Sequence, residues 1–98
     1  MTFEWVIGFY EGEGSAWMTH HNHPVLCFYQ KEKQVLLKIR RFLKIGKIRR
    51  KWRPKQTYKV MWALEIAGKL CAQLLRKMLP YMQTQKKRKQ TIRVLSTC

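Results

Sequence analysis

The 98-residue chain has no aspartate and only five acidic residues, all glutamate, against 21 lysines and arginines. A net charge of +16 excludes an ordinary balanced surface and implies a polyanionic partner, either nucleic acid or an anionic membrane. Residues 1 to 30 lack Lys and Arg entirely, yet they hold three of the five Glu. No apolar run is long enough to span a membrane, and no charged and then apolar leader opens the chain. The three cysteines, Cys27, Cys71 and Cys98, follow no disulfide or metal spacing, so they read as ordinary thiols in a reducing compartment. The expectation is one soluble, intracellular domain over residues 1–98, not secreted, with no membrane partner and no small-molecule substrate.

What is present is strongly ordered along the chain. Thr2 can cap a helix over residues 2–12, with Glu4 adding acidic charge to its first turn. Trp5, Val6, Ile7, Phe9 and Tyr10 occupy nearly every side of that helix, which marks it as a buried one. Gly8 and Gly12 lie four apart on one face, a spacing that lets two helix backbones approach closely. Glu11 and Glu13 then fall at the helix's negative pole beside Gly12 and Gly14, where dipole and propensity both disfavour them. Stability does not account for that acidic exit.

From Ser15 the texture is that of strands. Residues 15–20 and 25–30 read as a β-hairpin with His21, Asn22, His23 and Pro24 at its tip. From Glu32 the period becomes helical, with Val35, Leu36, Ile39, Phe42 and Leu43 on one face and Gly46 placed as a C-terminal cap. A second hairpin covers 47–53 and 57–65, alternating a Lys/Arg face with an aromatic and apolar one. Leu70, Cys71, Leu74, Leu75, Met78 and Leu79 form a last helical stripe, closed by Pro80. Residues 83–98 read as a basic C-terminal tail. The predicted class is α+β, in the order αββαββα, with a four-stranded antiparallel sheet, helices on one face and a basic face uncovered.

The segment Val6-Ile-Gly-Phe-Tyr-Glu-Gly-Glu-Gly-Ser15 resembles the LAGLIDADG signature of homing endonucleases, with Gly8, Glu13 and Gly14 on its central glycine, second acid and final glycine. Phe28-Tyr29-Gln30 is similar to the family's glutamine at the end of the second strand, and Leu43 to Ile48 to its helix-Gly-strand junction. Leu79-Pro80-Tyr81 before a Lys-rich segment resembles the stretch that precedes the family's lysine. The resemblance implies a site-specific DNA endonuclease, intron- or intein-encoded, from a bacterial, phage or archaeal cytoplasm or an organelle. It implies a Mg²⁺ (or Mn²⁺) dependent double-strand cut in a long, nearly palindromic duplex. The signature occurs once, so it also implies a homodimer through Val6, Gly8, Phe9 and Gly12.

The site residues follow from the same resemblance. Glu13 and the Gly12 carbonyl are the expected metal ligands, Gln30 the residue that positions water, and Lys86 or Lys87 the lysine facing the reacting phosphate. The expected DNA contacts on the exposed strand faces are Trp17, Thr19 and His21, then Cys27 and Tyr29. Lys47, Arg49, Lys51 and Arg53 follow on the third strand, and Thr57, Lys59 and Met61 on the fourth. Two other classes stand beside this reading: a non-cleaving DNA- or RNA-binding protein on the same scaffold (a transcription regulator or an intron-splicing maturase), and a cationic membrane-active protein. The strand alternation and acidic first third weigh against the last.

Overall fold

The computed structural model describes residues 1–51 and 61–97. Helix α1 (Phe3–Glu13) leads into β1 (Gly14–Met18) and β2 (Pro24–Gln30). Helix α2 (Lys33–Leu43) precedes β3 (Lys47–Lys51) and β4 (Met61–Ala67), and helix α3 (Gly68–Met78) follows. A single 3₁₀ turn, Leu79–Tyr81, separates α3 from α4 (Gln85–Thr97). The four strands form one antiparallel sheet in the order β1-β2-β4-β3. The α+β class and the sheet are therefore those expected.

Local chemistry explains most of the boundaries. Thr2 caps α1, its hydroxyl oxygen accepting from the Trp5 N–H at 3.1 Å. At the other end of α1 the chain turns directly into β1, and Gly14 makes that turn possible. A Cβ there would stand 2.4 Å from Tyr10 Cδ1 and 2.8 Å from the Tyr10 carbonyl oxygen. The β1–β2 turn is closed by Thr19, which exchanges backbone hydrogen bonds with Asn22 and His23, both at 2.9 Å. Asn22 takes a left-handed φ of 61° there, which short polar side chains tolerate.

Three expectations need correction. The left-handed cap of α2 is Lys44 (φ 62°), not Gly46. Gly46 serves a different purpose, because at its φ of +105° a Cβ would meet Leu64 Cδ1 at 2.8 Å as β3 begins against β4. Phe42 is exposed rather than part of the buried face of α2. Most consequential, the segment read as a basic tail contains a thirteen-residue helix, α4. Its Thr91 and Val94 are buried, with Leu95 packed beside them against the core. That stripe is narrow, and the surrounding lysines obscure its period.

The core lies between the helices and one face of the sheet. Ala16, Leu26, Phe28, Leu64 and Ile66 from the strands meet Val6, Ile7 and Tyr10 of α1, Leu36 and Ile39 of α2, Leu75 and Met78 of α3, and Val94 of α4. Strand alternation turns Ser15, Trp17, Cys27, Tyr29, Glu65, Lys47, Arg49 and Lys51 toward the other face.

Candidate functional site

The exit of α1 brings together two of the expected catalytic residues, Glu13 and Lys87. Glu13 is exposed, and its carboxylate has no hydrogen bond or ion pair among the described residues. As the last residue of the helix it lies among carbonyls without intrahelical donors, that of Gly12 included. Of the two candidate lysines, Lys87 reaches this exit, its ammonium donating to the Gly14 carbonyl oxygen. The same ammonium stands 5.5 Å from the centroid of the Tyr10 ring. Burial, with a smaller contribution from neighbouring Lys86, pushes the Lys87 pKa below the ordinary lysine value. Lys86 itself is exposed on α4.

Gln30 ends β2, two residues beyond Phe28, which pairs with Gly14. It stands at the same end of the sheet as Glu13, but alternation puts it on the helix side with Leu26 and Phe28. Its side-chain carbonyl oxygen accepts from the Lys31 N–H at 2.8 Å. Sequence reasoning left Glu11 without a role, and the structure supplies one. Its Oε1 accepts from the Gln83 N–H, from the Thr84 N–H at 2.7 Å and from the Thr84 hydroxyl at 3.3 Å. Nothing local signals this, because its partners lie more than seventy positions away.

The outer face of the sheet carries a second group. Trp17 is exposed, Tyr29 and Met61 half-buried, and Lys47 and Arg49 exposed on β3. Glu65 sits among them, holding Arg49 Nε at 3.1 Å and Lys51 Nζ at 2.7 Å. Cys27 was expected to face DNA and instead is fully buried. It points to the outer face, but it is short and lies mid-sheet between Ser15 and Glu65, within reach of the Tyr29 side chain. Burial pushes its thiol up to about 11, with Tyr29 opposing the shift. Thr19 and His21 lie past the end of β1, in the turn rather than on the strand, and the Thr19 hydroxyl oxygen accepts from the His23 N–H at 3.2 Å. Arg53, Thr57 and Lys59 lie outside the described residues.

On α1, Trp5, Gly8 and Gly12 form an exposed stripe at helical spacing. Phe9 borders it, stacked on Trp5 at 5.3 Å and partly buried against the core beside Phe28. A Cβ added at either glycine would meet nothing within 4 Å. Trp5 is 45% exposed, a large aromatic area for a residue flanked by glycines on its own face. Val6, expected in the dimer contact, is fully buried in the core of its own chain, because it lies on the opposite side of the helix.

No protein-family model and no curated protein sequence matches the chain. Solved structures do. The homing endonuclease I-CvuI, in complex with its target in the presence of calcium, superposes with a TM-score of 0.69 at 25% identity, covering 96% of this chain. An archaeal intron-encoded homing endonuclease, I-Vdi141I, complexed with DNA, gives 0.70 at 22% over 94% of the chain. The homing endonuclease I-TnaI gives 0.71 at 21%, covering 98% of this chain and 72% of its own. The fold is that of the LAGLIDADG homing endonucleases. The chain spans 63% of the length of I-CvuI and of I-Vdi141I. No described helix is long and apolar enough to cross a membrane.

Proposed function

We propose that the protein is a site-specific, metal-dependent DNA endonuclease that acts as a homodimer on a long, nearly palindromic duplex. The observation that carries this reading is the exit of α1: an exposed Glu13 carboxylate with no partner among the described residues, next to Gly14, whose carbonyl oxygen accepts from the Lys87 ammonium, on the homing-endonuclease fold. Supporting it are the DNA complexes of I-CvuI and I-Vdi141I and the cationic β3 strand on the outer face of the sheet.

One chain supplies one carboxylate and the Gly12 carbonyl as oxygen donors, and no cluster of three His, Cys, Asp or Glu exists among the described residues. That set suits a hard cation such as Mg²⁺ or Mn²⁺ only as half of a shared site, completed by a second Glu13 and by substrate phosphates. A bound ion of this kind would polarise the phosphorus centre and help activate water. The exposed Trp5, Gly8 and Gly12 stripe, bordered by Phe9, supports pairing of two α1 helices about a two-fold axis, which would bring both Glu13 residues together. Two carboxylates so placed repel each other, and a bound cation would offset that repulsion. Lys87 contributes a fixed positive charge beside the site, where a phosphate would gain negative charge in the transition state. Lys47, Arg49 and Lys51 grip the backbone or read guanine edges, while Trp17, Tyr29 and Met61 offer apolar contact.

The test is cleavage of a plasmid library with Mg²⁺ by the wild type and by Glu13→Gln. The expected result is a site-specific double-strand cut that the variant loses by at least roughly 100-fold while binding DNA as before. Tight binding without any cut by the wild type would instead establish the non-cleaving reading, as a transcription regulator or maturase.

A further inference from the structure

We propose that Glu11 is a positioning residue that sets the register of α4, and through it the placement of Lys87 at the exit of α1. The proposal rests on the nuclease reading for its functional consequence. Its structural content stands on contacts within the chain.

Glu11 occupies the last turn of α1, where the helix dipole disfavours a carboxylate. Something must offset that cost, and α4 does. The carboxylate of Glu11 meets the start of a second helix, where the dipole has the opposite sign. Thr84 immediately precedes α4, and its carbonyl oxygen accepts the helical hydrogen bond from the Arg88 N–H at 3.1 Å. The Glu11 oxygen therefore holds the N-terminus of α4 by the Thr84 backbone N–H and hydroxyl, and by the Gln83 N–H. Glu11 and Glu13 are two positions apart on one helix, so their side chains leave it about 200° apart at roughly 100° per residue. One turns to α4 and the other away from it.

The contacts that follow keep step with this clamp. Glu11 meets Thr84 across a separation of 73 residues, Gly14 meets Lys87 across 73, and Ala16 meets Gln90 across 74. The exit of α1 and the start of β1 thus run alongside α4 in one register, with Glu11 at its first contact. Lys87 lies three residues, less than one helical turn, past Thr84, so any shift or fraying of the helix start moves the lysine first. Misplacing a catalytic group by about 1 Å can cost roughly 100-fold in rate. Glu11 touches no expected substrate atom, so its effect would pass entirely through Lys87.

The experiment compares the full chain as wild type, Glu11→Gln, Glu11→Ala and Glu11→Leu. Two readouts are taken: the single-turnover cleavage rate with Mg²⁺, and the NMR shifts of the Lys87 side-chain methylenes near the Tyr10 ring. Gln retains an acceptor oxygen, whereas Ala and Leu do not. The expected result is a rate loss of roughly 100-fold in the Ala and Leu variants, with duplex affinity within about twofold of wild type, and substantial recovery in the Gln variant. The Lys87 shifts should move in Ala and Leu and return in Gln. Unchanged Lys87 shifts in both Ala and Leu would overturn the proposal, as would a rate loss explained by weaker DNA binding alone. Unfolding of both variants would overturn it too, by making Glu11 merely structural. If the wild type cuts nothing, the nuclease reading fails by itself, and the Lys87 shifts still decide whether Glu11 sets the register.

Discussion

The two edges of the sheet are finished in opposite ways. On the β1 side, α4 lies against the edge and satisfies its backbone: Lys87 donates to the Gly14 carbonyl oxygen, and the Gln90 side-chain oxygen accepts from the Ala16 N–H at 3.1 Å. On the β3 side the strand is basic, Lys47, Arg49 and Arg50 all being exposed. Here the described backbone contact comes from α2, where Arg40 Nε donates to the Gly46 carbonyl oxygen at 3.0 Å. Both arrangements prevent the edge from pairing with another chain, one by cover and the other by charge. They differ in what they leave available. The covered edge fixes groups relative to one another, as the exit of α1 requires. The charged edge holds long cationic side chains partly exposed, where under the proposed function they would meet phosphates, which need no such precision.

The comparison predicts that substitutions on the β1 side change stability and those on the β3 side change binding. The largest stability effect should be Gly14→Ala. Its Cβ would press on the buried Tyr10 ring and on the Tyr10 backbone, which cannot rotate away. Overpacking of this kind costs about 1–3 kcal/mol, and thermal denaturation should show the melting temperature falling by roughly 4–8 °C per kcal/mol. Gln90→Leu should come next, at about 1–3 kcal/mol, by leaving the part-buried Ala16 N–H without its acceptor. A Gln90→Leu variant as stable as wild type in urea would mean that α4 merely lies against the edge. The smallest should be Lys47→Gln, within about 0.5 kcal/mol in stability. On a random 40-base-pair duplex, however, it should reduce the slope of log affinity against log salt by about 0.9 if Lys47 neutralises one phosphate. An unchanged slope would remove β3 from the DNA contact and break the comparison on that side.

Much of this architecture was legible from local pattern. Thr2, the apolar run to Tyr10 and the glycines around Glu13 mark α1 and its exit within fifteen residues, because caps and helix faces are short-range properties. The hairpins and the alternating faces were legible for the same reason. What escaped depends on contacts between distant residues. α4 was hidden because only Thr91, Val94 and Leu95 make its buried side and basic residues dominate its composition. Glu11 and Gln90 acquire their roles only when α4 comes to lie against α1 and β1. Cys27 shows that alternation gives the face of a strand but not the depth, since that depends on its neighbours. Gly46 was correctly singled out for the wrong reason: it makes room for Leu64 and Ile66 rather than ending a helix.

The pairing of Arg49 and Lys51 with Glu65 bears on how the outer face would trade partners. A carboxylate between two cations imitates, in charge and oxygen chemistry, the phosphate that the same cations would meet on a duplex. DNA arriving there would exchange one anion for another rather than recruit two bare charges. Since the pairs are partly exposed and each contributes little to stability, the exchange costs little. It also leaves Glu65 as a resident negative charge beneath the incoming backbone, which favours a duplex whose base edges, and not only its phosphates, can satisfy the displaced groups. If the proposed function holds, a single acid on a basic face would lower affinity for nucleic acid in general and raise the share of binding that depends on sequence.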